Sequence, residues 1–269
     1  ILKWITKFIM DVKKRKKIIV DWINNYCDNT SFKPKSLVVG ISGGIDSSVV
    51  STICALTNRR TIVLSMPIKQ IKSQHDLSIE HGNWLSNKFK NVEHKIIELE
   101  ELFNNFEKTL GEFNNEHGFA NSRARLRMAT LYQVAAANSG IVVGTGNKVE
   151  DFGVGFYTKY GDGGVDISPI ADLLKSEVFK IAHHLGIVSS IQKAKPTDGL
   201  WDDDRSDEDQ LGATYDELEW AMNYLEVSSR GNLSERQKKV LEIYRGHHQT
   251  NLHKMNPIPV CEIPKSLRS

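Results

Sequence analysis

The chain has 269 residues, 40% hydrophobic and 25% charged, with a formal net charge of +2. That is an ordinary soluble composition with room for one large domain or two small ones, too near neutral to argue for nucleic-acid or membrane-surface partners. No apolar run approaches the ~20 residues that span a bilayer. Cys27, Cys54 and Cys261 are too scattered for a zinc site, an iron–sulfur cluster or a disulfide framework, which predicts a reducing, cytoplasmic setting.

The opening Ile1-Leu2-Lys3-Trp4 puts its charge after the apolar residues, the reverse of a secretory leader, and lacks an initiator Met. Apolar residues from Ile1 to Ile23 recur at mostly three- and four-residue steps, which predicts an amphipathic helix or two in tandem over 1–26. Its basic run, Lys13 to Lys17, reads as a solvated helix face. After the connector Phe32-Lys33-Pro34-Lys35, Leu37-Val38-Val39-Gly40-Ile41 reads as a buried strand. It breaks at Ser42-Gly43-Gly44, and a helix starts at Asp46 with Val49, Val50, Ile53 and Leu56 on one side. Thr61 to Met66 predicts a second strand, stopped by Pro67, and a helix follows over 73–89. A short third strand spans Val92 to Leu99, with one more short helix over 100–111. The helical pattern from Phe119 to Ala137 closes at Asn138-Ser139-Gly140. Ile141 to Gly144 then reads as a fourth buried strand opening into Gly144-Thr145-Gly146-Asn147.

Beyond a glycine-rich stretch at 151–170, a helix over 175–185 ends at Gly186. A charged segment from Lys193 to Thr214 carries Asp202-Asp203-Asp204 and Asp207-Glu208-Asp209. Two helices follow, near 215–226 and 234–245, and then a tail broken by Pro257 and Pro259. Strands separated by helices imply right-handed crossovers and a parallel sheet. With no internal repeat and no linker, the chain reads as a single domain over 1–269. Its core spans about 36–255, preceded by an N-terminal helical segment over 1–30.

The break after the first strand carries the first chemistry. Its small residues let the backbone turn tightly and approach a ligand. The amides from Gly44 to Ser47 face outward at a helix N-terminus, where the macrodipole favours an anion, with phosphate the natural occupant. The common phosphate loop needs four residues between its glycines and a Lys-Ser/Thr pair after them, and this loop has neither. An acid, Asp46, follows instead, and an acid beside phosphates implies a bridging divalent cation. Ligands in open α/β sheets bind beyond the carboxyl ends of the strands, so this loop and the one after the fourth strand can share a pocket.

Ser42-Gly43-Gly44-Ile45-Asp46-Ser47 after a strand resembles the pyrophosphate loop of the ATP pyrophosphatases, which split ATP between its α and β phosphates and adenylate a substrate. The middle of the chain narrows the resemblance. Asn121-Ser122-Arg123-Ala124-Arg125-Leu126-Arg127-Met128, Gly144 to Glu150, and Phe156 to Gly164 are similar to ammonia-dependent NAD synthetases. Asp166, Pro169, Leu173, Lys175, Lys195-Pro196-Thr197, Ser206-Asp207-Glu208 and Leu211-Gly212 keep that family's spacing. The similarity runs from about 36 to 255. It implies an α/β fold of Rossmann-like, adenine nucleotide alpha hydrolase type, a doubly wound parallel sheet flanked by helices, and a homodimer. The implied reaction joins ammonia to deamido-NAD at the expense of ATP, through an adenylated intermediate, and yields NAD, AMP and pyrophosphate.

Carried over residue by residue, the resemblance makes Asp46 and Lys175 catalytic. It assigns ATP to Gly40, Ser42, Gly43, Gly44, Ile45, Asp46, Ser47, Thr145, Lys175 and Ser206. Deamido-NAD falls to Arg123, Arg125, Lys159, Asp162, His253 and Lys254, and Mg2+ to Asp46 and Glu150. Arg123, Arg125 and Arg127 stand at steps of two on a helix and cannot all point one way, so one or two reach ligand and the rest pair on the surface. The acidic stretch at 198–209 corresponds to a mobile lid, which suits an acyl-adenylate that must be shielded from water. His183-His184 and His247-His248 lack ligand partners at metal spacing and read as surface or packing residues.

The chain departs from the family at Ser65, where many members carry Arg, and over Ile68 to Asp76, leaving Gln70 as the adenine-side candidate. A glutamine-fed reaction needs a separate amidase domain with a Cys nucleophile. None fits here, so free ammonia or a partner subunit supplies the nitrogen. Two rival readings stand: a tRNA-thiolating ATP pyrophosphatase, which favours paired cysteines and a basic surface, and a non-catalytic nucleotide-binding module, which tolerates loss of Asp46 or Glu150.

Overall fold

The computed structural model describes residues 2–197, 206–227 and 231–268, with side chains from Asp11 onward. The chain opens with α1 (Leu2–Asn29), followed by β1 (Ser36–Gly40), α2 (Ile45–Leu56), β2 (Arg60–Ser65), α3 (Lys72–Lys88), β3 (Val92–Ile96) and α4 (Glu100–Thr109). Next come α5 (Glu116–Ala137), β4 (Gly140–Val142), a π-helical turn at Val149–Val154, α6 (Lys175–Leu185) and α7 (Ser189–Lys193). The last helices are α8 (Asp207–Leu211), α9 (Tyr215–Glu226) and α10 (Glu235–Met255).

The four strands form one parallel sheet in the order β3-β2-β1-β4, with Leu37 of β1 opposite Thr61 of β2 and Ile141 of β4. The middle strands are apolar on both faces because helices cover both, as a doubly wound sheet requires. Leu37, Val39 and Ile41 pack with α1, α2 and α6, through residues such as Ile23, Ile53 and Ile181. Val38, Ile62 and Leu64 pack with Phe103 of α4 and Ala135 of α5 on the other face. A third cluster gathers Val149 and Val154 of the π-helical turn with Leu211, Leu218 and Leu241, fastening α8, α9 and α10 beyond β4.

Several element boundaries differ from the sequence reading: β3 ends at Ile96 rather than Leu99, and β4 runs from Gly140 to Val142 rather than from Ile141 to Gly144. Of the two alternatives for the N-terminal segment, the single helix holds and runs on to Asn29, since Val12, Ile19, Ile23 and Cys27 bury along one stripe against the α2–α6 side. The last helix does not stop near 245 but continues to Met255. Gly246, His247 and His248 interrupt its apolar periodicity, yet neighbouring carbonyls satisfy its polar face. His247 Nε2 pairs with the Leu211 carbonyl at 3.1 Å, His248 Nδ1 with that of Gly153 at 2.7 Å, and Asn251 Nδ2 donates to that of Val154 at 2.9 Å. Among the described residues, no helix is long and apolar enough to cross a membrane.

Candidate active site

The carboxyl ends of β1 and β4 open side by side, and the loops after them share a cavity of about 750 Å³, within the range of small-molecule and cofactor sites. Gly43 makes the first loop possible. Its φ of +88° is a conformation that L side chains rarely adopt, and a Cβ there would meet the Gln74 carbonyl at 2.8 Å. The chain then enters α2 through Gly44 in extended geometry, and the first bond back into the helix runs from Ser48 N–H to the Gly44 carbonyl at 3.2 Å. The amides of Ile45, Asp46 and Ser47 therefore precede the helical ladder, which leaves them available to an anion. Ser47 Oγ accepts from Ser42 N–H at 3.3 Å and donates to the Gly44 carbonyl at 3.0 Å, holding the loop closed on itself.

The second loop supplies the opposite wall. Asn147 is fully buried and works in both directions. Its Nδ2 donates to Asp46 Oδ1 at 3.0 Å, and its Oδ1 accepts from the amides of Val149 and Glu150 at 3.1 and 3.2 Å. Gly146, just before it, lies against the Asp151 carboxylate, so a Cβ there would overlap that group. Glu150 is presented by the π-helical turn and faces Asp46 across a single ammonium. Lys175, the first residue of α6 and only 3% exposed, donates to Asp46 Oδ2 at 2.6 Å and to Glu150 Oε1 at 2.8 Å. The Tyr215 hydroxyl lies 2.5 Å from the same Glu150 oxygen and 3.1 Å from Asp207 Oδ2.

These contacts set the proton affinities. Burial pushes the Asp46 carboxyl up, against the pull of Lys175, and the Glu150 charge adds to the rise. Glu150 feels the same burial, but the charge and hydrogen bond of Lys175, with the Tyr215 hydroxyl, hold it below the ordinary glutamate range. The two carboxylates keep Lys175 protonated despite its burial. Burial, and then Glu150, Asp162 and Asp46, raise Asp151 well above an ordinary aspartate. A group of three or more His, Cys, Asp and Glu able to hold a metal does not occur among the described residues. Asp46 and Glu150 thus offer two hard oxygen donors, a set that suits Mg2+ only when phosphates and water complete the shell.

Most residues singled out in the sequence converge here. Gly40, Ser42, Gly43, Gly44, Ile45, Asp46, Ser47, Thr145, Glu150 and Lys175 line the cavity, as do Arg125, Lys159, Asp162, His253 and Lys254. Lys159 Nζ donates to the His253 carbonyl at 2.6 Å, and Lys254 Nζ to those of Gly155 and Tyr157 at 2.8 Å each, so α10 ties down the loop leading to Asp162. Gln70 also lines the cavity, 3.5 Å from the Ser42 carbonyl.

Two residues lie off its wall. Ser206 caps α8, its hydroxyl 2.6 Å from Asp209 Oδ2. Arg123 is buried, with its guanidinium 5.9 Å from the Phe103 ring, rather than on the surface; it is Arg127 that lines the cavity beside Arg125. Arg127 Nε donates to the Met66 carbonyl at 2.9 Å, and burial lowers its pKa to about 10.

Ser65 does not line the cavity. It is fully buried, its hydroxyl 2.5 Å from that of Ser78 and 2.9 Å from His94 Nε2. Asp202-Asp203-Asp204 of the lid expectation lie outside the described residues. The sequence reading did not single out Asn147, Tyr215 or Asp151. Asn147 stood in the small-residue loop without a role, and Tyr215 reads locally as an apolar residue opening a helix.

With that geometry in place, similarity to known proteins becomes informative. The family model described as NAD synthase matches residues 16–257. The NH(3)-dependent NAD(+) synthetase of Mesoplasma florum is 39% identical over 219 residues, 78% of this chain and 84% of the relative. That of Archaeoglobus fulgidus is 33% identical over 247 residues, 90% of this chain and 96% of the relative. Among solved structures, one described as NMN synthetase from Francisella tularensis superposes with a TM-score of 0.82 at 30% identity, covering 94% of this chain and 98% of that one. The NH3-dependent NAD synthetase of Campylobacter jejuni gives 0.75 at 26% identity, covering 93% and 99%.

Proposed function

The chain belongs to the NAD synthase family, and on that footing we propose that it amidates deamido-NAD with ammonia at the expense of ATP, yielding NAD, AMP and pyrophosphate. The observation that carries the proposal is the meeting of Asp46, Glu150 and Lys175 beside the open amides of Ile45 to Ser47.

The nicotinate carboxylate oxygen attacks the α phosphorus and the bond to pyrophosphate breaks, giving an adenylated intermediate. Ammonia then attacks the carbonyl carbon, loses a proton, and AMP departs with the former carboxylate oxygen. No side-chain nucleophile is needed; orientation and charge stabilisation supply the rate. The α2 amides hold the leaving phosphates, Lys175 meets their growing charge, and the α10 residues His253 and Lys254 with Lys159, Asp162 and Arg125 hold the acid substrate. Asp46 and Glu150 would hold Mg2+, which when bound neutralises phosphate charge and polarises the phosphorus–oxygen bonds.

The whole chain serves as one synthetase domain working as a homodimer. In support, α5 buries only Ala120, Arg123, Ala124 and Ala135 of its 22 residues, and Leu102 and Phe106 of neighbouring α4 are exposed. A cytoplasmic location fits the free thiols of Cys27, Cys54 and Cys261.

The similarity to the Francisella NMN synthetase favours a second reading with the same chemistry, in which nicotinate mononucleotide is the acid. Incubation with ATP, Mg2+, ammonia and either acid decides between them. The proposal predicts a higher kcat/KM for deamido-NAD, with NAD, AMP and pyrophosphate in equal amounts. Preference for the mononucleotide establishes the second reading, and no amide from either acid overturns both.

A further inference from the structure

Lys175 takes both carboxylates of the acid pair with one ammonium, through Asp46 Oδ2 and Glu150 Oε1. Asn147 holds Asp46 Oδ1 from behind, and the Tyr215 hydroxyl shares Glu150 Oε1 with the ammonium. The ammonium also sits 4.7 Å from the Tyr215 ring centre, in cation–π range. A divalent ion bridging Asp46 and Glu150 needs the seat that Lys175 Nζ fills. The two cations cannot share it, because like charges a few ångströms apart in a poorly solvated site repel strongly.

We propose that Lys175, besides meeting phosphate charge in the reaction, acts as a resident counter-cation of the acid pair. It holds the acid pair together before nucleotide arrives, keeps bare divalent ions out, and yields its place only when the metal enters with phosphates. The proposal rests on the reading that Asp46 and Glu150 carry Mg2+, and it adds an order to that binding.

The charges support the order. Within the cluster, two carboxylates against one ammonium leave one negative charge in excess, too little to retain both Lys175 and a dication. Nucleotide phosphates bring the missing negative charge and offer the displaced ammonium a new partner. Two buried carboxylates without any cation would be costly, so the seat has to be filled at every stage. The backbone can stay still during the exchange. The start of α6 is anchored by Glu177 on the Leu174 amide at 3.0 Å, and by Glu219 on Ser176 N–H and Oγ at 2.7 and 2.8 Å. The four-carbon stem of Lys175 lets its charge move while those anchors hold.

The test is Mn2+ binding followed by electron paramagnetic resonance, on wild type, Lys175→Met and Lys175→Arg, with and without α,β-methylene ATP. Without nucleotide, Lys175→Met should bind Mn2+ on the order of tenfold or more tightly than wild type, because a competitor has left two intact ligands. Lys175→Arg should stay as weak as wild type, and the gap between wild type and Lys175→Met should shrink once the analogue is present. Equal or weaker binding by nucleotide-free Lys175→Met overturns the exchange. Failure of wild type to bind Mn2+ even with the analogue overturns the metal reading beneath it. Should Lys175→Met not fold, Lys175→Gln followed by thermal denaturation decides. Mn2+ must raise its Tm more than that of wild type, and an equal rise contradicts the proposal.

Discussion

Asn147 and Asp46 lie 101 residues apart in the chain and are joined by a 3.0 Å hydrogen bond from Asn147 Nδ2 to Asp46 Oδ1, linking the mouth of β4 to that of β1. The bond fixes the orientation of the aspartate, and the amide oxygen of the same side chain starts the turn that presents Glu150. Asn147→Asp would replace the donor by a third carboxylate facing Asp46. We predict a loss of kcat/KM on the order of 10–100-fold, the usual cost of losing a group that orients a metal ligand. Its KM for Mg2+ should rise, while the far-ultraviolet circular dichroism stays unchanged. Wild-type kinetics would remove Asn147 from the account.

Asp46→Ala should abolish Mg2+-dependent pyrophosphate release and leave a folded protein, because α2 is held by Val49, Val50 and Ile53 and not by this carboxylate. Turnover near wild type in a pyrophosphate assay would contradict the role given to Asp46.

Gly43→Ala places a Cβ at positive φ and 2.8 Å from a backbone oxygen, where only main-chain movement can relieve it. The cost should be about 1–3 kcal/mol in urea denaturation, with a rise in KM for ATP as the loop shifts. Stability and KM both equal to wild type would show that the loop tolerates a side chain.

His81 is fully buried, its Nε2 2.9 Å from Ser51 Oγ and its Nδ1 without a hydrogen-bond partner. Burial, and then the neighbouring His94, lower its pKa to about 3. An unfolded histidine titrates near 6.5, so from about pH 6.5 down to 3 the unfolded chain binds the extra proton. The stability lent by neutral His81 is therefore complete above about pH 6.5 and is lost as pH falls. Going from pH 7 to 5 should remove roughly 2 kcal/mol through this group. His81→Asn should flatten that slope in urea titrations, and an unchanged slope would assign the pH dependence elsewhere.

The parts of this protein legible in the sequence are those whose physics is local. β1 and its break could be read because a β-branched run, two glycines and a helix start follow one another within fourteen residues. That the loops after β1 and β4 share a pocket followed from the rule that adjacent parallel strands open at one edge, whereas the pairing of Asp46 with Glu150 came from the resemblance. Tyr215 and Asn147 were illegible as site residues because their roles come from partners 65 and 101 positions away. The length of α10 was hidden for a related reason. Its polar half is stabilised by carbonyls of the π-helical turn and α8, and no periodicity within 246–255 reports that. Arg123 and Arg127 could not be told apart from spacing alone, since it is tertiary packing, with the Phe103 ring beside Arg123, that turns Arg123 off the cavity wall.

The chemistry proposed for this cleft is activation of a carboxylate by adenylation. Deamido-NAD labelled with 18O in its nicotinate carboxylate, turned over with ATP, Mg2+ and ammonia, tests it most directly by mass spectrometry of the products. Adenylation leaves one 18O atom in the phosphate of AMP for each NAD formed, and none in pyrophosphate. Label absent from AMP, or carried into inorganic phosphate with ADP as co-product, would contradict it.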